Sequence, residues 1–443
     1  VEALAFVIGV VLMVVGLAVS IALHELGHLW PAKRFGVRVG QYMIGFGPTL
    51  WSRRIGETEY GVKAIPLGGF ISMAGMYPPS PEERARAAAA SGFGSASRSG
   101  RAGGGFFATM VQDARAANDE TLHGDDDERV FYRLPVFKRV IVMLGGPIMN
   151  FLFAIVLFSI LVTGIGVQTA TTTVASLSEC VPATTTSECT TSDPEAPAAA
   201  AGIEPGDTIV SVDGQPVDDF DEATALIQGS PGGPLTLVVE RDGVERTLTV
   251  QPATTEASVT DAEGTTTTRE VGFVGISPTV EYVRQPIWGG TQAAVEQVGA
   301  VAGILWQLPV KVWETGVDLV TGQERDPNGP LSVVGAGRLS GEVAAADSPV
   351  LNRVAGFLSL LASLNIALFV FNLIPLLPLD GGHVAVALWE GIKRVWAKLF
   401  RRPPPKPVDA TKLVPLTFVV VVALIGMGAV LILADIFNPV SLF

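Results

Sequence analysis

The sequence predicts a polytopic α-helical membrane protein: about four transmembrane helices, a membrane-associated β-hairpin element, and an α+β domain outside the cytoplasm. Three observations carry that prediction. Four apolar segments, roughly 4–23, 140–167, 354–377 and 413–434, each approach the ~20 residues that span a bilayer. Only 16% of the 443 residues are charged, where a soluble chain carries about 25%. Charge is also unevenly divided between the apolar segments. Residues 31–139 hold 15 Lys and Arg, and residues 390–412 hold 7 against 2 acids, while residues 168–350 hold 7 against 26 acids. The positive-inside rule then puts 31–139 and 390–412 in the cytoplasm, and the long acidic stretch and both termini outside. With a net charge of -13, no nucleic-acid partner is expected; the expected surroundings are a lipid bilayer.

Residues 1–30 are the first transmembrane helix. No basic stretch precedes the apolar run and no small-residue cleavage site follows it, so it reads as an anchor and not as a signal peptide. The run ends in His24-Glu25-Leu26-Gly27-His28. Histidines at i and i+4 share one helix face and can grip a zinc ion, and the glutamate between them is placed to act as a general base. Such residues at membrane depth are costly, which marks them as functional. Pro31 predicts a disturbed helix just past His28.

Residues 31–77 read as strands and turns. Tyr42–Pro48 and Tyr60–Phe70 set β-branched and aromatic residues between glycines and prolines. Irregular backbone is tolerated at membrane depth only where protein buries it or it lines a cavity, which suits a hairpin close to a metal. Residues 78–139 are a low-complexity cytoplasmic insertion and linker; 78–128 is rich in Ala, Ser and Gly and ends in an acidic run. His123 within it reads as a solvated loop residue. Residues 140–167 are the second transmembrane helix. Gly145 and Gly146 allow close helix packing, and Asn150 is read as an interhelical hydrogen-bond donor.

Residues 168–284 are the outside domain. Cys180 and Cys189 are the only cysteines; they either close a small disulfide loop, which that compartment favours, or stay free. Phe220–Ile227 reads as a helix and Leu235–Gly243 as a hairpin. Residues 285–350, with Trp288, Trp306 and Trp313, read as an amphipathic segment along the outer membrane surface. Residues 351–390 are the third transmembrane helix, 391–412 a cytoplasmic loop, and 413–443 the fourth transmembrane helix.

A catalytic zinc takes three protein ligands and keeps one position open. His24 and His28 supply two, and Pro31 and Arg34 occupy the places where a following histidine would complete the set. The third ligand lies elsewhere. Asp380, in Leu379-Asp380-Gly381-Gly382-His383 at the end of an apolar run, is one candidate and His383 is its rival.

Taken together, four motifs resemble the site-2 protease family of zinc intramembrane proteases. They are HELGH ending the first span, GGPIMN in the second, Ala201-Gly202-Ile203-x-Pro205-Gly206-Asp207 running on to Val212-Asp213-Gly214 outside, and Asn372-x-x-Pro375-x-x-Pro378-Leu379-Asp380-Gly381-Gly382-His383 in the third. The outside string resembles PDZ domains of bacterial proteases, and the whole chain is most similar to the actinobacterial branch with one PDZ domain. The resemblance implies that His24, His28 and Asp380 hold Zn2+ and that Glu25 is the general base, which leaves His383 a supporting role. It implies that Asn372, with Pro375 and Pro378, helps hold substrate backbone, and that the hairpin bearing Gly68 and Gly69 pairs with an unwound substrate. It further implies a multi-pass protein of the bacterial plasma membrane engaged in regulated intramembrane proteolysis. Its substrates would be single-span proteins such as anti-sigma factors after a first outside cut, and its PDZ domain would meet peptide C-termini or unfolded segments. The alternative is a PDZ-containing membrane scaffold or quality-control protein with a degenerate metal site.

Overall fold

The structure is a computed structural model describing residues 2–76, 129–181, 194–260, 266–326, 329–403, 408 and 413–440. The 78–128 insertion, with His123, and Cys189 lie outside the described residues; Cys180 is disulfide-bonded. The chain forms two compact units, residues 1–164 with 286–443, and residues 165–285.

The first unit begins with α1 (Glu2–Arg34). Pro31 does not end this helix; it sits inside the last turn. A proline there removes the N–H that the Gly27 carbonyl would accept. That carbonyl instead faces Gly145 of α2 (Val136–Ile160), where a Cβ would strike it, and a Cβ on Gly27 would strike the Gly145 carbonyl in return. The two helices therefore cross backbone to backbone, the contact that small residues permit in membranes. The end of α2 continues as a π-turn over Leu161–Ile165.

Between these helices lie β1 (Val39–Ile55) and β2 (Thr58–Met73), paired antiparallel around a turn at Gly56, whose φ is +63°. Their register is broken repeatedly, and the hairpin folds on itself. Residues 41–44 pair with 69–72 and also with 59–62, and 59–62 pair in turn with 51–54. The fold-back buries Val39, Met43 and Met73 while leaving Leu50, Trp51 and Ile55 exposed.

The second unit holds β3 (Val167–Leu177), a short α3 (Pro197–Ala200), β4 (Thr208–Val212), β5 (Gln215–Pro216), α4 (Phe220–Gln228), β6 (Leu235–Arg241), β7 (Val244–Val250), β8 (Ala253–Thr260), β9 (Thr266–Phe273) and β10 (Ile276–Val283). Six strands form one sheet in the order β10-β3-β4-β6-β7 with β5 on β4; β8 and β9 pair separately. Two Asp-Gly turns close its hairpins: Asp213-Gly214 between β4 and β5, and Asp242-Gly243 between β6 and β7, all four residues at positive φ, as two-residue hairpin turns require. Inward residues of alternating strands, Ile209, Val212, Leu235, Leu237 and Val239, meet Ala223 and Ile227 of α4. Asp219 caps α4 by accepting from Glu222 N at 2.8 Å. The buried Asp207 accepts from Arg241 Nε and Nη2 at 2.6 and 2.7 Å, a two-pronged pair. Arg241 holds the Asp207 carboxyl below its ordinary range.

The remainder of the first unit is helical: α5 (Trp288–Leu305), α6 (Leu308–Thr321), α7 (Val333–Ala345), α8 (Val350–Asn372), α9 (Asp380–Leu399) and α10 (Val414–Phe437). Among the described residues four helices, α1, α2 with its π-turn, α8 and α10, are long and apolar enough to cross a membrane, and α5 with α6, bent by 68°, would make a fifth. Part of residues 285–350 packs between the apolar helices. Ala294 of α5 is fully buried in a cluster with Met13 of α1, Ala154 and Leu157 of α2, and Leu361 and Ile366 of α8. The small face of α7 lies on α1: Ser340 Oγ donates to Gly9 O at 2.9 Å, and a Cβ on Gly341 would meet the Phe6 ring. The segment expected as one span over 351–390 is two helices, α8 and α9, separated by a turn at 373–379 that contains the prolines.

Candidate metal centre

Three elements converge on one point in the first unit. On α1, His24 and His28 are one turn apart, so their rings stand on the same face, with centroids 4.9 Å apart and planes nearly perpendicular. Their Nε2 atoms are 3.3 Å apart. Asp380 arrives from the first turn of α9 with Oδ2 3.2 Å from His24 Nε2 and 3.3 Å from His28 Nε2. The glycines after it explain how it gets there. A Cβ on Gly381 would run into the Leu373 and Ile374 carbonyls, and one on Gly382 into the backbone of Leu376 and Leu377. Only glycine lets the start of α9 fold this tightly onto the turn that precedes it.

α2 shapes the other side. His28 Nδ1 lies 2.8 Å from the Val142 carbonyl, so the proton belongs on Nδ1 and the Nε2 lone pair is left to face Asp380 and His24. One turn further along α2, Gly146 lies against the His28 ring; a Cβ there would overlap it. Gly145 and Gly146 thus do separate jobs, one at the helix crossing and one at the His28 ring. α8 is fastened one turn before His24: Asn365 Nδ2 donates to Ser20 Oγ at 2.9 Å, both fully buried, and Ser20 Oγ donates on to Gly16 O.

The donor set fits zinc. A tetrahedral ion with ligands at ~2.0–2.1 Å separates them by about 3.3 Å, which is the spacing of these three atoms. Asp380 Oδ2 is buried and meets no donor in hydrogen-bond geometry although two ring nitrogens lie within 3.3 Å. His28 Nε2 and Asp380 Oδ2 are acceptors turned toward one another with His24 Nε2 completing the triangle, an arrangement that a cation between them would satisfy. Among the described residues, His24, His28 and Asp380 form the group able to hold a metal, and His383 falls outside it.

Glu25 points from the same turn of α1 and is buried. Its neighbour from the hairpin is Gly69, where a Cβ would stand 3.0 Å from Glu25 Cγ and 2.8 Å from Ile21 Cγ2. Gly68, at φ +153°, passes over the Phe46 ring. The hairpin is held to α1 by Tyr42, whose hydroxyl donates to Ala22 O at 2.7 Å. Asn372, Pro375 and Pro378 occupy the end of α8 and the turn before Asp380; the Asn372 amide donates back to Leu368 O at 2.9 Å. Asn365, Ser20 and the Val142 carbonyl escaped the sequence reading. The available signal was a lone Asn and a lone Ser inside two otherwise apolar spans.

A bundle of apolar helices that brings two histidines, an aspartate and a neighbouring glutamate together defines a membrane metallohydrolase. Residues 12–401 match Peptidase family M50. Over 451 positions the chain is 36% identical to "Zinc metalloprotease Rip1" of Mycobacterium tuberculosis (strain ATCC 25618 / H37Rv), with 99% of each chain covered. It is 34% identical to the protein of the same name in Mycolicibacterium smegmatis, again over 99% of each, and 27% identical over 404 residues to "Metalloprotease MmpA" of Caulobacter vibrioides, over 88% of each. The chain belongs to peptidase family M50, the site-2 proteases, and is a zinc metalloprotease with several membrane-crossing helices.

Proposed function

We propose that this chain hydrolyses a peptide bond within the transmembrane segment of single-span membrane proteins. His24, His28 and Asp380 are its zinc ligands and Glu25 its general base. The observation that carries this reading is the 3.2–3.3 Å triangle of His24 Nε2, His28 Nε2 and Asp380 Oδ2 beside Glu25. Zinc, when bound, supplies Lewis-acid polarisation of water and of the scissile carbonyl. Glu25 takes the proton from the attacking water and passes it to the leaving amine. His28, fixed through Nδ1 by Val142 O, keeps its orientation throughout.

A substrate helix closes its amides by internal hydrogen bonds and must unwind before it can be cut. The stretch carrying Gly68 and Gly69 offers backbone for such an extended segment, beside Glu25. The side chain of Asn372, with Pro375 and Pro378 stiffening the turn, holds the other side of the substrate backbone. The 165–285 unit acts as a PDZ domain on the extracytoplasmic side of a bacterial plasma membrane, with both chain termini on that side. It reads peptide C-termini or unfolded segments, or excludes substrates with bulky outer domains. Its Asp-Gly hairpins and the sheet around β4 and β6 support this assignment. Natural substrates are single-span proteins already trimmed outside, of which anti-sigma factors are the expected kind, so that cleavage completes regulated intramembrane proteolysis.

The test is Glu25→Gln in purified, detergent-solubilised protein with a single-span substrate. Zinc is retained and cleavage is lost; turnover by the variant would overturn the mechanism.

A further inference from the structure

The second half of α9 lies outside the metal site. Glu390 is buried between Arg139 of α2, at 3.0 Å, and Arg394, at 2.5 Å. Gly391 lies beside Val136, the first residue of α2, where a Cβ would stand 3.3 Å from Val136 Cγ1. Beyond this anchor, Trp389, Ile392, Val395, Trp396, Leu399 and Phe400 are each more than half exposed. At 3.6 residues per turn they cover a continuous arc of roughly 140°. Glu390 and the buried Ala397 lie on the opposite side, toward α2. Lys393 and Lys398 flank the apolar arc, and Arg401 and Arg402 follow it.

The level of this arm relative to the bilayer follows from α2. Its span of 30 residues, Val136–Ile165, is about 45 Å long at 1.5 Å per residue, longer than a hydrocarbon core of about 30 Å. That excess is enough to let the first turn of α2, with Arg139, reach the headgroups, and the Arg139–Glu390 pair ties α9 to that turn. Running straight outward, α9 would leave two tryptophans, a leucine and a phenylalanine in water. An arm seated at headgroup level would set this apolar arc at the interface and its cations among the headgroups. Residues 388–402 carry five Lys or Arg and one acid, Glu390, which is already consumed by its two arginines.

We propose that residues 388–402 are an interfacial arm that seats on the membrane face where α2 begins and recruits anionic phospholipid. The acyl-chain boundary receives the apolar arc, and phosphate-bearing headgroups pair with Lys393, Lys398, Arg401 and Arg402. Because the arm is continuous with the helix that begins at Asp380, the lipid contact also steadies the element that delivers that carboxylate.

The experiment is tryptophan quenching in nanodiscs holding the full chain, with brominated phosphatidylglycerol or brominated phosphatidylcholine at equal mole fraction. The brominated anionic lipid is expected to quench roughly twofold more strongly. That preference disappears in Lys393→Gln/Lys398→Gln/Arg401→Gln/Arg402→Gln and in Trp389→Phe/Trp396→Phe. Quenching of the remaining tryptophans reports an intact fold, and the milder Lys393→Gln/Lys398→Gln pair carries the test if the fourfold variant loses that reference. Equal quenching by the two lipids, a preference that survives either set of substitutions, or no quenching of Trp389 and Trp396 by either lipid would overturn the proposal.

Discussion

Gly146 of α2 lies flat against the imidazole of His28, and Val142, one turn earlier on the same helix, holds that ring's Nδ1 at 2.8 Å. One helix thus fixes both the position and the tautomer of a candidate metal donor that another helix supplies. A side chain at 146 has nowhere to go except into the ring. Gly146→Val is expected to lower zinc affinity at least 10–100-fold, the range typical of lost supporting contacts, while the protein still inserts in membranes. Metal analysis of purified protein at buffered free zinc checks this.

Asn365 joins α8 to α1 through Ser20, one turn before His24, with both residues fully buried. In lipid such interhelical hydrogen bonds are worth about 0.6–2 kcal/mol. Asn365→Leu removes both bonds of its amide, and thermal unfolding in detergent is expected to show a loss of that size. Ser20→Ala, which keeps the volume and leaves Asn365 its bond to Leu361 O at 2.8 Å, loses less.

Gly69 lies beside Glu25, on the path proposed for the substrate strand. Gly69→Val fills that space with a branched side chain 3 Å from Glu25 Cγ. Cleavage of a single-span substrate falls by about 10-fold or more, in line with misplacing a catalytic group, and zinc content stays at the wild-type level. Loss of zinc together with activity would assign Gly69 to the metal site instead.

In the 165–285 unit, Asp207 is paired with Arg241 and its carboxyl is held below the ordinary range. A depressed acid stabilises the fold fully above its unfolded pKa, near 3.9, and the contribution disappears as pH falls through the lower folded value. Amide hydrogen exchange in β4 and β6 is therefore expected to accelerate as pH drops below about 4, after correction for intrinsic rates. Asp207→Asn flattens that dependence.

Much of the metal site was legible because its spacing is covalent. His24 and His28 are one helical turn apart in any helix, and an aspartate before two glycines announces a tight turn. Which of Asp380 and His383 stands beside His24 and His28 was not legible from spacing. It depends on how the 373–379 turn stacks under α9, which the collisions at Gly381 and Gly382 make plain only in three dimensions. Pro31 was expected to disturb α1, yet the helix runs on to Arg34, with the freed Gly27 carbonyl facing Gly145. α7 was hidden for a related reason. Its contact with α1 uses Gly341, Ser340 and their small neighbours, which give no apolar periodicity, since close approach and not hydrophobic area drives helix packing in lipid. The double pairing of residues 41–44 depends on register breaks that a strand-like sequence does not encode.

Zinc stoichiometry separates Asp380 from His383 as the third donor beside His24 and His28. Wild-type protein and His383→Ala are expected to carry about one zinc per chain, and Asp380→Ala to lose it, each measured after equilibration at the same low free zinc. Full occupancy in Asp380→Ala with loss in His383→Ala would make His383, and not Asp380, the third donor.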